Sequence, residues 1–214
     1  MTTVTTPANF TELGLITPLL ARLAELEYKQ PTPIQAQAIP SVLAGRDLIA
    51  GANTGSGKTA TFALPMLQQI RAEKPVSGKG TKGNYVAGLI LVPTRELAKQ
   101  VADSIKSYAV HFNGDIKTVA VFGGVSVNTQ MLNLRGGTDI LVATPGRLLD
   151  LISSNAIKLD KVKTLVLDEA DRMLSLGFTE ELTSLLALTP KQKQTLLFSA
   201  TFPEQVQTLT QELL

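Results

Sequence analysis

The sequence predicts an α/β domain with a central, mostly parallel β-sheet and helices on both faces, and three observations carry that expectation. From Gly45 onward, short apolar runs rich in branched residues alternate with segments of helical period. A glycine-rich turn, Ala52-Asn53-Thr54-Gly55-Ser56-Gly57-Lys58-Thr59, follows the first run, and an acidic tetrad, Asp168-Glu169-Ala170-Asp171, follows a later one. The runs are Asp47 to Ala50, Val86 to Val92, Lys117 to Phe122, Asp139 to Ala143, Lys163 to Leu167 and Gln194 to Phe198. Their lack of polar alternation is what strands covered on both faces require.

Taken in order, residues 1–44 read as a separate helical region and residues 45–214 as the α/β unit. Leu15, Leu19, Leu20, Leu23 and Leu26 predict one amphipathic helix that leads into a stiff Pro31-Thr32-Pro33 turn. The helix after Lys58 is expected to kink or end early at Pro65, which has no backbone donor. Glu73 to Asn84 has no apolar period and reads as a mobile surface loop. Thr94 is placed to cap a helix whose buried stripe is Leu97, Val101, Ile105 and Tyr108. Thr144-Pro145 gives an N-cap and a first-turn proline, with Leu148, Leu149 and Ile152 on the buried side. Pro203 starts a last helix with Val206, Leu209 and Leu213 inward.

Composition narrows the class. At 214 residues, with 44% hydrophobic and 18% charged, the chain is long enough for a substantial core and is expected to be soluble. A formal net charge of +2 is too small to argue for nucleic acid, so any such contact must be local. With no cysteine, disulfides, thiolate metal sites and cysteine nucleophiles are excluded. Apolar stretches are strand-sized and the first residues are uncharged, so no signal peptide or spanning helix is expected and the cytoplasm is the default location.

The glycine-rich turn has the chemistry of a phosphate cradle. Gly55 and Gly57 let successive amides point at an anion, the following helix adds its positive end, Lys58 reaches β- and γ-phosphates, and the Thr59 hydroxyl is suited to Mg2+. Asp168 stands at the carboxyl end of a buried strand, where it can hold the same ion, and Glu169 can orient or deprotonate an attacking water. An acidic tetrad alone would more often be a helix start; beside Lys58 and Thr59 the metal reading is the stronger.

These motifs, with Phe10, Pro31-Thr32-Pro33-Ile34-Gln35, Pro93-Thr94-Arg95-Glu96-Leu97, Gly123-Gly124, Thr144-Pro145-Gly146-Arg147 and Ser199-Ala200-Thr201, occur in an order that resembles the DEAD-box RNA helicases, of bacterial type, over nearly the whole chain. Two departures are minor: Glu27 replaces a usual glycine, and Ala52-Asn53 is one version of a variable pair. The resemblance implies a RecA-like P-loop lobe using ATP and Mg2+, the N-terminal one of two, with the arginine finger on a second lobe that acts as its partner. It implies that Gln35 selects adenine, that Phe10 stacks on the base with Thr32 near it, and that Thr54, Gly55, Ser56, Gly57, Lys58 and Thr59 hold the phosphates. Pro93, Thr94, Arg95, Gly123, Gly124, Thr144, Pro145, Gly146 and Arg147 would contact an RNA backbone with little sequence preference. Ser199 and Thr201, bonded to Asp171, would link hydrolysis to strand separation. The lobe is expected to be monomeric and, alone, nearly inactive. Two other readings stay open: an ATP-gated RNA clamp or ribonucleoprotein remodeller, and, disfavoured by Gln35 and Ala170, a DNA translocase.

Overall fold

The computed structural model describes residues 9–51, 55–74 and 83–213. In chain order, a 3-10 turn at Phe10–Leu13 is followed by α1 (Thr17–Glu25), α2 (Pro33–Leu43), β1 (Leu48–Gly51), α3 (Lys58–Glu73) and β2 (Val86–Leu91). Next come α4 (Arg95–Tyr108), β3 (Thr118–Val121), α5 (Val127–Leu134), β4 (Thr138–Ala143) and α6 (Pro145–Ser153). The last elements are β5 (Thr164–Leu167), α7 (Ala170–Ser175), α8 (Thr179–Ala187), β6 (Gln194–Ser199) and α9 (Glu204–Leu213). All six expected strands are present. Every pairing between them is parallel, in the order β1-β6-β5-β2-β4-β3.

The sheet separates two apolar layers, and successive residues of a strand feed opposite ones. Ile90, Val142, Val166 and Phe198 face a core built with α1 to α4. Leu89, Leu141, Leu165 and Leu197 face the other, built with α6 to α9. The central strands β5 and β6 are buried along their length, whereas the edge strands β1 and β3 are mostly half-exposed.

Several elements differ from the sequence expectation. The helix expected over Leu15 to Leu26 is α1, with Leu19 and Leu23 buried, and Gly14, in the left-handed region, separates it from a 3-10 turn that the sequence reading did not include. Helix α2 was not anticipated, because Pro31 and Pro33 draw attention to a turn; Pro33 sits at the first helical position, where no donor is needed. Pro65 does not end α3. It leaves the Thr61 carbonyl without its usual donor, a cost of about 3 kcal/mol. Ten of the sixteen residues of α3 are buried, Pro65 among them, and each large apolar side chain so buried returns about 1.5–3 kcal/mol. In α6, Leu148 and Leu151 are buried and Leu149 and Ile152 only partly so. Most of the loop expected between Glu73 and Asn84 lies outside the described residues, as does the 52–54 stretch of the phosphate loop.

Candidate nucleotide and nucleic-acid sites

Parallel strands bring all their carboxyl ends to one edge of the sheet, which is where ligands bind in such folds. Here the edge carries, from one end to the other, the phosphate loop after β1, Ser199-Ala200-Thr201 after β6, the acidic tetrad after β5, Pro93-Thr94-Arg95 after β2, Thr144-Pro145-Gly146-Arg147 after β4 and Gly123-Gly124 after β3. Sequence order gave no hint of this arrangement. The tetrad occupies the middle, between the phosphate loop and the three basic or glycine-rich loops.

At the phosphate end, Lys58 begins α3 and is 8% exposed, while Asp168 is 2% exposed. The Lys58 Nζ lies 3.5 Å from Asp168 Oδ1, an ion pair that forms no close hydrogen bond, since Oδ1 is buried without a hydrogen-bond partner. Burial pushes the Asp168 carboxyl above the ordinary carboxylate range, against the opposing pull of Lys58. The Ser56 hydroxyl is likewise buried without a partner. A cationic ligand for the orphaned carboxylate oxygen and an anionic one for the Lys58 end would satisfy both, so these residues fit Mg2+ with a nucleotide phosphate. Among the described residues no group of three or more acidic, histidine or cysteine side chains could hold a metal, so most of the ion's ligands would be phosphate oxygens and water.

The Pro31-to-Gln35 segment braces this loop directly. The Thr32 hydroxyl donates to the Ser56 carbonyl at 2.8 Å, and Gln35 Nε2 donates to the Gly57 carbonyl at 3.2 Å. Gln35 Oε1 accepts from the Thr32 N–H at 2.9 Å. That leaves the Gln35 amide one N–H and one lone pair, the complement of an adenine edge. Gly57 has φ +88°, and a Cβ there would run into the Gln35 amide and approach Thr32 Oγ1 at 3.1 Å. Thr59, next to Lys58 in the first turn of α3, is half-buried. Phe10 differs from expectation: it is 5% exposed in the core, its ring 6.3 Å from that of Tyr28. So enclosed a ring has little face to offer a base. Tyr28, 39% exposed, is the open aromatic of the pair, and the motif reading overlooked it.

Glu169 sits at φ +55°, a conformation uncommon outside glycine, and its carboxylate bonds Arg172 at 3.3 Å. Strain of this kind persists only where the surroundings impose it, and it turns the tetrad sharply from β5 into α7. Asp171 is tied to β6: the Thr201 hydroxyl and N–H donate to its Oδ2 at 2.7 and 2.9 Å, and its own N–H donates to Ser199 Oγ at 3.2 Å. Burial works to raise the Asp171 carboxyl, but these hydrogen bonds outweigh it and hold it below the usual range.

At the other end of the edge, Pro93, Arg95, Glu96, Gly123, Thr144, Gly146, Arg147 and Phe178 line an open cleft of about 490 Å³. Six of the nine residues singled out for a phosphate backbone therefore share one surface. Gly124, at φ +80°, completes the turn beside Arg95. Three of the nine are largely occupied with structure. The Thr94 hydroxyl caps α4 by accepting from the Leu97 N–H at 3.3 Å, and Pro145 is buried at the start of α6. Arg147 Nη1 donates to the Val125 carbonyl at 2.9 Å and to Gln130 Oε1 at 3.0 Å, so it holds the glycine loop in place. Gln130, a buried strut that also donates to the Phe122 carbonyl, carries no sequence signal of this role.

Fold and site together define a RecA-like P-loop domain. The DEAD/DEAH box helicase family model matches residues 32–209. The chain is 45% identical over 202 residues to the ATP-dependent RNA helicase DeaD of Escherichia coli, covering 94% of this chain and 30% of that protein. It is 43% identical to the ATP-dependent RNA helicase CshA of Limosilactobacillus reuteri, over 92% of this chain and 38% of that one. The crystal structure of a DEAD box protein from Methanococcus jannaschii superposes with a TM-score of 0.85 at 37% identity, covering 97% of this chain and 54% of the other. The chain belongs to the DEAD/DEAH box helicase family and spans well under two thirds of the length of these relatives.

Proposed function

We propose that this chain is the ATP-binding lobe of an ATP-dependent RNA helicase, one that spends ATP to separate or remodel short RNA duplexes. The observation that carries the reading is the order of loops along the sheet edge: the glycine-rich loop at one end, the cleft beside Arg95 at the other, and between them an acidic tetrad whose Asp168 pairs with Lys58 and bonds Leu91 of β2 while Asp171 bonds Ser199 and Thr201. Gln35 and Thr32 select and seat adenine while stiffening the loop; Gly55, Ser56, Gly57, Lys58 and Thr59 take the phosphates, with Thr54 alongside them. Mg2+, held through Thr59 and Asp168, would neutralise charge that develops between the β- and γ-phosphates. Glu169 orients the attacking water. The cleft of Arg95, Gly123, Gly124, Thr144 and Gly146 receives the RNA backbone, and the Asp171–Thr201 and Asp171–Ser199 bonds carry the change at the phosphate end toward β6. A second RecA-like lobe supplies the arginine finger and closes the site. Such a protein would work in the cytoplasm; no helix among the described residues is long and apolar enough to cross a membrane.

The deciding experiment places Glu169→Gln in a two-lobed protein containing this sequence. ATP binding should persist while RNA-stimulated hydrolysis falls by at least about 10²-fold. Unchanged turnover would remove Glu169 from its role. Separation of a short duplex under multiple turnover tells unwinding from clamping, and stimulation by RNA but not DNA separates both from a DNA translocase.

A further inference from the structure

A second charged surface begins where the backbone cleft ends. Helix α4 packs on the edge strand β3 with Arg95 and the carboxyl end of β3 at the same edge of the sheet. Between them runs a groove of about 460 Å³, lined among others by Lys99, Lys106, Lys117, Thr118 and Phe122. Arg95, Lys99 and Lys106 are spaced four and seven residues apart, which aligns them on one face of α4 over about 16 Å of helix. The Lys99 ammonium lies 5.3 Å from the centre of the Phe122 ring, directly before Gly123. Among the described residues, Lys117 Nζ donates to the Arg135 carbonyl alone, at 3.0 Å. The one acidic residue in the lining is Asp103, whose 3.6 Å contact with Lys106 is exposed on both sides and weak. The Thr118 hydroxyl faces no hydrogen-bond partner among the described residues.

We infer that this α4–β3 groove is an extension of the nucleic-acid track, taking the sugar-phosphate backbone of single-stranded RNA that runs on past Gly123-Gly124. The net charge of the chain is only +2, so three lysines against one aspartate in a single groove is a local concentration of the sign a phosphate backbone needs. Its continuity with Arg95 and Phe122 favours RNA over an acidic peptide. The groove's charge is carried by lysines, whose contacts to a phosphate backbone carry no sequence information, so the extension adds length and salt dependence and little sequence preference.

The inference rests on the RNA reading above, and the test separates the two. Binding of the chain to two oligouridylates, one short enough to fill only the motif cleft and one several times longer, is measured across a salt series. The wild type should bind the longer strand more tightly, with a steeper dependence on salt. The double variant Lys99→Ala/Lys106→Ala should lose that advantage: the slope of log affinity against log salt should fall by about 1.4 for the long strand, about 0.7 per phosphate contact, and stay unchanged for the short one. Arg95→Ala should weaken both. Equal affinity of the wild type for the two strands, or an unchanged slope in the double variant, overturns the groove while leaving the cleft. Failure of both strands to bind overturns the RNA reading and the groove with it. Competition by polyglutamate but not by the long strand would assign the groove to an acidic protein and overturn it as well.

Discussion

Gly57 is where the Pro31-to-Gln35 segment, proposed to select adenine, meets the phosphate loop, and both predictions at residue scale follow from that contact. Gln35 uses half of its amide to hold the Gly57 carbonyl and the Thr32 N–H, which fixes the orientation of the other half. Gln35→Ala should lower ATP affinity and erase discrimination against GTP, as read by competitive titration with the two nucleotides. Equal affinity of the wild type for both would sink the assignment. Gly57→Ala meets two obstacles: a left-handed backbone that costs about 1–2 kcal/mol for a residue with a Cβ, and a clash with the Gln35 amide. It should destabilise the chain in urea by at least that amount and weaken nucleotide binding more than Gln35→Ala does. A fully stable variant that binds ATP normally would show that the loop is not braced as described. The glycine spacing was legible in the sequence because φ above zero selects glycine. The enclosure of Phe10 was not, because a lone aromatic looks the same whether it stacks on a ligand or on Tyr28.

At the scale of elements, Asp171 joins α7 to the end of β6: its N–H donates to Ser199, and its carboxylate accepts from Thr201 just beyond the strand. Asp171 has its acidity strengthened in the fold, so the stability it lends is fully present above its ordinary value of 3.8 and is lost as pH falls through the lower folded value. Unfolding by urea along an acid series should therefore show a steeper loss for the wild type than for Asp171→Asn, whose amide does not titrate. Superimposable acid limbs would mean that Thr201 and Ser199 contribute nothing through Asp171. The strands were legible from their unbroken apolar runs, which both sheet faces enforce. Helix α2 was not, since Pro33 marks a turn and a helical first position equally well, and the choice falls to burial of Ala36, Ile39 and Val42. That α3 runs on past Pro65 was not legible for the related reason that a local backbone penalty is visible in sequence while the core that offsets it is not.

For the whole molecule, the sheet order lays the glycine-rich loop and the cleft residues on either side of the acidic tetrad, and the proposed reaction needs a transition-state cation from a second lobe. A polypeptide of these 214 residues should bind ATP yet hydrolyse it roughly 10³-fold or more slowly than a two-lobed relative with RNA present. Turnover matching the two-lobed protein would place all catalytic groups on this chain. The sequence by itself determined the α/β class, all six strands and the identity of the phosphate and acidic motifs, because glycine, proline, charge and hydrophobic period each report a local constraint. It also gave the family, through motifs whose spacing is fixed along the chain. Only the tertiary structure decided that the order β1-β6-β5-β2-β4-β3 lays those motifs out with the tetrad central, that Thr32 and Gln35 support the phosphate loop, and that Arg147 serves the glycine turn. Strand order and side-chain partnership are set by packing between segments far apart in the chain, and no local pattern records them.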